Sequence, residues 1–163
     1  MIPVRPLLGM VMFAALSFLP VLGVCPVSAA VQETEAPEDS PPTPIEVFAG
    51  LETFWKEGEA DSLIVRLSPD EIRLSFHRIG PRDGNFDCSQ AKYLLADLFE
   101  FARTDSFLFT RYKYDPSGDD PPRAVGHWYY KGSGGIDREA RVIIDLTPLN
   151  GSWAISSIEA RKW

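Results

Sequence analysis

The sequence predicts an α+β fold: N-terminal helices, one strand and a long helix packed on a bent antiparallel sheet of four further strands. Two observations lead to this class. An amphipathic helix is expected at 87–103, and four strands separated by turn-forming residues follow it as far as Lys162. A sheet with one apolar face needs a covering layer, and this helix is the best cover that the chain offers.

The long helix is recognised by the spacing of its apolar side chains. They recur at i, i+3, i+4, i+7, i+8 and i+11, which places them on one broad stripe. The stripe consists of Ala91, Leu94, Leu95, Leu98, Phe99 and Ala102. Asp87 or Ser89 can cap the start of the helix, and Arg103 suits the negative end of its dipole.

Two shorter helices are expected nearer the N-terminus. Residues 45–57 carry an apolar stripe that begins after Pro44 and is stopped by Gly58, a residue typical of helix C-termini. Residues 59–67 predict a second, short helix with three apolar side chains on one face. Both helices are amphipathic, so each is expected to pack on the same core.

One strand separates these helices from the long one. Apolar and polar residues alternate there with a period of two, as in a half-buried strand. The apolar members are Ile72, Leu74 and Phe76. Residues 80–85 predict a loop, and Phe86 is a candidate for a short strand just before the long helix.

The four later strands are expected at 106–114, 123–131, 139–146 and 153–162. Short turns join antiparallel neighbours, and Asn150-Gly151 is the strongest hairpin signal of the chain. A two-residue turn there would place Leu146 opposite Ile155 and Ile143 opposite Ile158. We expect the first pair on the helix-covered face and the second pair on the outer face.

Residues 1–30 have the layout of a secretory signal peptide. Arg5 precedes an apolar run, and Ser28-Ala29-Ala30 offers small residues at the cleavage site. A retained membrane anchor is one alternative, since the run approaches the ~20 residues that span a bilayer. A lipid anchor on Cys25 is another, although Val24 fits that processing poorly. We predict cleavage, no stable membrane insertion after it, and a periplasmic or secreted protein.

The mature chain is predicted to consist of a tether and one domain. Residues 31–44 are acidic, rich in proline and almost free of apolar side chains, so a disordered tether is expected. Residues 45–163 are long enough for one domain with its own core. Cleavage leaves Cys88 as the one cysteine, so no internal disulfide is expected.

The charge balance argues against nucleic acid as a partner. The chain has 16 basic and 23 acidic residues, a net charge of −7. Loss of Arg5 with the signal peptide makes the net charge −8, and the four acids of the tether leave about −4 on the domain. A modestly acidic domain repels DNA, RNA and anionic lipid surfaces.

Residues at core and turn positions carry a resemblance to a known superfamily. They are Phe54, Gly58, Ala60, Asp61, Leu63, Gln90, Ala91, Leu94, Leu95, Leu98, Phe99, Ser106, Phe107, Ala124, Val125, Gly126, Arg141, Val142, Ile144, Leu146, Gly151, Trp153, Ile155 and Ile158. With the order of elements, they resemble the nuclear transport factor 2-like, cystatin-related superfamily, in which a bent sheet wraps a long helix to form a cone. The closer likeness is to a group of small secreted bacterial proteins of unknown function.

The resemblance implies the fold far more than the function. Members of the superfamily often pair through the outer face of the sheet, which implies a possible homodimer here. Ile143 and Ile158, predicted side by side on that face, would form its apolar patch. Arg141, Asp145 and Ser156 share the face, so the patch is expected to be small.

Aromatic residues on adjoining strands are the most suggestive functional feature. They are Tyr112, Tyr114, Trp128, Tyr129, Tyr130 and Trp153. Strand propensity and core filling explain such a set, but some of its members can also line a concave pocket for an apolar or aromatic ligand. Our candidate ligand-binding residues are His127, Tyr112, Trp128 and Tyr129.

His127 is the candidate for catalysis if the protein is an enzyme. It lies among aromatic residues and can act as a general base at the mouth of the cone. No carboxylate or nucleophile is fixed near it by sequence spacing, which favours a packed or hydrogen-bonded histidine. We therefore assign no catalytic residue.

Three further residues are interpreted as structural. His77 is expected to be a solvated surface histidine, and Cys88 a small buried or capping residue rather than a nucleophile. Asp145 resembles the acid of ketosteroid-isomerase members of the superfamily, but its neighbours on the strand favour the outer surface. The two histidines and the cysteine form no metal-ligand spacing, so no metal or cofactor is predicted.

Two functional hypotheses follow. The first is an exported, non-catalytic domain that binds a small apolar or aromatic ligand, or a protein partner, in or around the sheet cone. The second is a small isomerase- or hydrolase-like enzyme that uses a polar residue such as His127 in the cone. A dry aromatic pocket or an exposed apolar outer sheet favours binding, and a buried acid or histidine paired with a second polar group favours catalysis.

Overall fold

A computed structural model describes residues 40–80 and 83–162. The elements along the chain are α1 (Pro44–Glu57), α2 (Ala60–Ile64), β1 (Ile72–Ser75), β2 (Gly84–Phe86), α3 (Cys88–Phe101), β3 (Arg103–Lys113), β4 (Arg123–Lys131), β5 (Asp137–Leu149) and β6 (Ser152–Lys162). The predicted signal peptide and residues 31–39 of the predicted tether lie outside the described residues. Among the described residues, no helix is long and apolar enough to cross a bilayer.

The predicted α+β class is confirmed, with helices packed on a six-stranded mixed sheet. The strand order is β2-β1-β6-β5-β4-β3. Strands β3 to β6 are antiparallel neighbours, as predicted, but β1 also joins the sheet and runs parallel to β6. The β1–β2 hairpin therefore extends the expected sheet of four further strands. Helix α3 connects β2, at one edge of this sheet, to β3 at the other edge.

Capping residues fix where the two long helices begin. The Thr43 hydroxyl accepts a hydrogen bond from the Glu46 amide, and the Glu46 carboxylate accepts one from the Thr43 amide at 2.7 Å. Asp87, rather than Ser89, caps α3 in the same reciprocal way with Gln90. Each cap satisfies amides that a helix start leaves without partners. Helix α1 therefore begins one residue earlier than predicted, with its cap inside the predicted tether.

Arg103 was expected at the C-terminal end of the long helix, but it lies in the strand that follows. Helix α3 ends at Phe101, and Arg103 is the first residue of β3. Strand β3 thus begins three residues before the predicted start at 106. The turn from helix to strand is tight, since the single residue Ala102 separates the two elements.

Aromatic side chains fill the space between the helices and the sheet. Trp55 of α1 lies 5.4 Å from Trp128 of β4 and 5.2 Å from Phe107 of β3, between ring centroids. Phe99 of α3 meets Trp55 edge-on at 5.1 Å. Trp55 and Trp128 are both fully buried. The predicted role of α3 as a cover is confirmed, and α1 shares that role.

The hairpin between β5 and β6 explains where the register prediction succeeds and where it fails. Asn150 and Gly151 form the two-residue turn with φ of 48° and 76°, and Leu146 lies opposite Ile155, as predicted. Ile143, however, lies opposite Glu159. Ser156 is an extra residue in β6, a β-bulge that shifts the register by one.

The bulge moves Ile158 from the outer face to the core. Ile158 lies opposite Ile144, and both are fully buried. The predicted outer patch of Ile143 and Ile158 is therefore wrong. The outer face instead presents Ile143 directly opposite Val125, with Leu108 57% exposed and Tyr129 46% exposed on neighbouring rows.

Candidate functional site

Two aromatic rings meet at the end of the sheet where β3 ends and β6 begins. Tyr114 directly follows β3, and Trp153 is the second residue of β6. Their ring centroids are 6.0 Å apart with an interplanar angle of 78°, an edge-to-face contact. Tyr114 is 40% exposed, and Trp153 is partly buried against the core. We call Tyr114 and Trp153 the rim pair.

A first groove of about 420 Å³ opens on one side of the rim pair. One wall is the proline-rich segment 41–44, which Thr43 anchors by capping α1. The other wall is the β5–β6 hairpin from Pro148 to Ser152. Proline has a fixed backbone angle, so this wall is stiffer than an ordinary loop of the same length.

A second groove of about 350 Å³ lies on the other side of the same pair. It is closed by the loop 115–122, which contributes Pro116, Pro121 and Pro122, and by Leu146 and Pro148 of β5. Tyr114, Pro148 and Trp153 line both grooves. The two grooves therefore share an apolar ridge, which the rim pair and Pro148 form between them.

Carboxylates make the loop side of the second groove negative. The amide of Ser117 donates to Asp115 at 2.9 Å, and this bond holds the pKa of Asp115 below its usual value. A hydrogen bond from Lys113 lowers the pKa of Asp120. Both groups are thus ionised at neutral pH, and Asp119 adds a third carboxylate to the lining. Such a lining disfavours an anionic ligand.

The structure does not bring the four predicted ligand-binding residues together. Trp128 is fully buried on the helix-covered face and donates its indole N–H to Thr104 at 3.0 Å. His127 and Tyr129 point to the outer face, because neighbouring residues on a strand alternate. Tyr112 packs on Phe48 of α1 at 5.9 Å. The ligand-binding role of these residues stays a prediction.

His127 has a carboxylate partner that sequence spacing could not provide. Its Nδ1 lies 3.4 Å from Oε1 of Glu139, across the β4–β5 pairing. A hydrogen bond to the same carboxylate raises the pKa of Tyr129. Glu139 thus links the two outer-face residues. A base in the cone would have to face the interior. His127 instead lies on the open side of the sheet.

The remaining candidates lie where the sequence suggested. Asp145 is on the outer face and receives two hydrogen bonds from Arg123, at 2.6 and 2.9 Å. Cys88 is the first residue of α3 and is partly buried. His77 is exposed beside Asp83. Within residues 40–80 and 83–162, no cluster of His, Cys, Asp and Glu has the geometry of a metal site.

Solved structures with similar folds share little sequence with this chain. A DUF4783 family protein from Bacteroides uniformis superposes with a TM-score of 0.60 at 18% identity, covering 71% of this chain and 95% of that one. A nuclear transport factor 2-like protein from Cytophaga hutchinsonii gives 0.54 at 12% identity, covering 73% and 94%. The chain has the nuclear transport factor 2-like fold.

This fold is shared by proteins with differing descriptions. A putative scytalone dehydratase from Novosphingobium aromaticivorans matches with a TM-score of 0.55 at 16% identity, covering 71% of this chain and 78% of that one. No protein-family model and no curated protein matches the chain. At such identities the likeness establishes the nuclear transport factor 2-like fold, and function has to be argued from the site.

The rim grooves add to the nuclear transport factor 2-like framework residues that the sequence reasoning did not place in a site. Tyr114 and Trp153 were among the suggestive aromatics, but the prolines at 41–44 and 116–122 were interpreted only as tether and loop. Their signal was available, since one proline cluster precedes α1 and the other lies between β3 and β4. What sequence could not supply is that both clusters pack around the same aromatic pair.

Proposed function

We propose that the protein is an exported, non-catalytic domain that binds a small neutral or cationic apolar molecule, with an aromatic ring or similar flat body, at the rim pair. The observation that carries this proposal is the position of Tyr114 and Trp153 between two grooves of about 420 and 350 Å³. Volumes of this size are typical of small-molecule sites.

The packed interior supports a ligand at the rim rather than deep between helix and sheet. Trp55, Trp128 and Phe107 occupy the centre, with ring centroids 5.2–5.4 Å apart where Trp55 meets each of the others. A ligand there would have to displace fully buried rings. At the rim, partly exposed rings already offer an apolar surface to solvent.

The chemistry of the lining sets the class of ligand. Aromatic rings and prolines offer flat apolar contact, and a ring stacked on such a surface gains about 0.5–1.5 kcal/mol beyond area burial. Asp115, Asp119 and Asp120 line one groove; Lys113 pairs with Asp120, and the other two carboxylates leave the groove negative, which favours a neutral or cationic molecule over an anionic one.

Binding to the mature protein can be tested with naphthalene-type probes, neutral (2-naphthol), cationic (2-naphthylmethylammonium) and anionic (2-naphthoate). Saturable shifts of the Trp153 indole signal in NMR are expected for the first two, and weaker binding for the third. Trp153→Ala should lower the affinity at least about tenfold, whereas Tyr93→Ala should not, since Tyr93 is an exposed aromatic residue of α3. Equal binding by wild type and Trp153→Ala would refute the rim site.

A second candidate function is acid–base catalysis on the outer face. One specific contact favours it: Nδ1 of His127 lies 3.4 Å from Oε1 of Glu139, and a carboxylate beside an imidazole orients the ring and stabilises its protonated form. This surface is open, and a catalytic base normally works in a site that excludes water. Hydrolysis of p-nitrophenyl acetate should then fall equally in His127→Gln and Glu139→Gln; rates unaffected by either change would remove this candidate.

A further inference from the structure

Basic residues converge at the end of the sheet where β1 meets β6. A groove of about 550 Å³ is lined by His77, Arg78, Arg161 and Lys162. A neighbouring groove of about 350 Å³ shares His77 and Arg161 and adds Arg73 together with the acids Asp83 and Glu159. We call the first of these the basic groove. It shares no lining residue with the rim grooves.

The charge of the basic groove opposes that of the whole protein. The chain carries a net charge of −7, yet all four lining residues of this groove are basic. Among the described residues, Arg78 and Lys162 have no ion-pair partner. The two acids that line the neighbouring groove are already engaged, because Asp83 lies 3.4 Å from His77 and Glu159 pairs with Arg161. Within residues 40–80 and 83–162, two cations of the groove thus have no ion-pair partner.

The backbone at Arg78 is a second, independent observation. Arg78 has φ of 63°, in the left-handed region that residues with a Cβ enter at a cost. It belongs to a turn in which the amides of Ile79 and Gly80 both donate to the carbonyl of Phe76, at 2.7 and 3.2 Å. Glycine would make this turn without strain. An arginine held there is the kind of outlier that points from strain to function.

A like-charge pair beside the groove adds to the positive potential. Arg161 lies directly opposite Arg141 in the β5–β6 register, and Arg141 is exposed. Like charges directly opposite each other destabilise a sheet. An anion bound near Arg161 would relieve this repulsion.

From these contacts we propose that the basic groove binds the phosphate group of a small phosphate ester. Arginine presents donors in a fork that matches phosphate oxygens, and lysine adds a point charge. Arg78 and Lys162 supply these donors, and Arg161, whose Nε pairs with Glu159, can add those of its terminal nitrogens. His77 takes no direct part, because its Nε2 lies 3.0 Å from the Ser75 hydroxyl and its Nδ1 faces Asp83. His77 is held by Ser75 and Asp83 and forms part of the groove wall.

The size of the groove and the charge around it favour a small ligand over an extended one. A volume of about 550 Å³ holds a molecule of the size of a sugar phosphate. A membrane or a nucleic acid would also meet the acidic remainder of the protein, which repels extended anionic surfaces. The groove concentrates its positive charge in one place, as a single phosphate group requires.

The test is a titration of the isotope-labelled mature protein with glycerol 3-phosphate at low ionic strength, followed by NMR. Saturable shifts at Arg78 and Arg161 are expected. Arg78→Gly should weaken binding about tenfold or more, since a charge-assisted hydrogen bond is lost. The thermal midpoint should be unchanged or higher, because glycine suits φ of 63°. Reduced binding in this variant therefore cannot be ascribed to unfolding.

Asn150→Gly is the matched control. Asn150 is the other described non-glycine residue with positive φ, at 48°, so the same backbone change is made without removing a charge. Its affinity for glycerol 3-phosphate should equal that of wild type. Lys162→Gln should weaken binding as Arg78→Gly does.

Three results would overturn the proposal. The first is the absence of saturable shifts in the groove with glycerol 3-phosphate. The second is equal affinity in wild type and Arg78→Gly. The third is binding to vesicles that contain phosphatidylglycerol but not to the free ester, which would identify a lipid surface as the source of the phosphate. Loss of naphthol binding in Trp153→Ala is independent of all three, so the two sites fail or succeed separately.

Discussion

Phe99→Ala tests whether α3 and α1 jointly hold the aromatic core. The Phe99 ring lies 5.1 Å from Trp55 and 6.3 Å from Trp128, between centroids, and it is partly buried. Complete burial would make the loss of a phenylalanine ring worth about 3–5 kcal/mol. Partial burial puts the expected loss near the lower end, about 3 kcal/mol, which is a large part of a typical folding free energy.

Phe101→Ala is the matched control on the same helix. Phe101 is 64% exposed, so its truncation should change the free energy of unfolding by less than about 0.5 kcal/mol. Both variants would be measured by urea denaturation, with the slope m expected to stay constant. Equal stability of Phe99→Ala and wild type, or equal losses in the two variants, would refute the packing of α3 against the Trp55–Trp128 contact.

Three further predictions concern assembly, processing and the cysteine. The outer face should form a weak homodimer, so sedimentation velocity should show dimer at tens of micromolar for wild type and monomer for Leu108→Lys, which places a charge in the exposed patch; a monomeric wild type would count against it. The intact mass from the native host should begin at Val31, and a lipid mass on Cys25 would contradict this. Cys88→Ser should lower the free energy of unfolding by at most ~1–2 kcal/mol, and loss of ligand binding in a folded variant would show that the thiol has a functional role.

Local signals in the sequence predicted the helices and the last hairpin well. The apolar stripe of α3 and the glycine after α1 fix helix positions because both depend on spacing within a few residues. Asn150-Gly151 predicts its turn for the same reason, since positive φ at both residues suits this pair.

The predictions that failed depend on relations between distant residues or on interruptions of a pattern. The bulge at Ser156 reverses the alternation in β6, and the three-residue spacing of Ile155 and Ile158 was its signal. The parallel pairing of β1 with β6 has no local signal, because it joins segments about eighty residues apart.

The candidate site was only partly accessible from the sequence. His127 and Trp128 are neighbours on one strand, so alternation places them on opposite faces, and grouping them in one pocket ignored that constraint. The rim pair depends on how the segment 41–44 and the loop 115–122 pack. Binding residues often lie on loops, and the conformation of a loop is harder to predict from sequence than that of a helix or strand.

Intermolecular NOEs from a bound aromatic probe would locate the ligand on the protein. The protein would be saturated with 2-naphthol, and contacts from the ring protons of the naphthol would be assigned to individual aromatic side chains. We expect NOEs to Trp153 and Tyr114, the two aromatic residues that line both grooves. NOEs to Trp55, whose buried indole N–H has no hydrogen-bond partner among the described residues, would place the ligand in the interior and contradict the rim site.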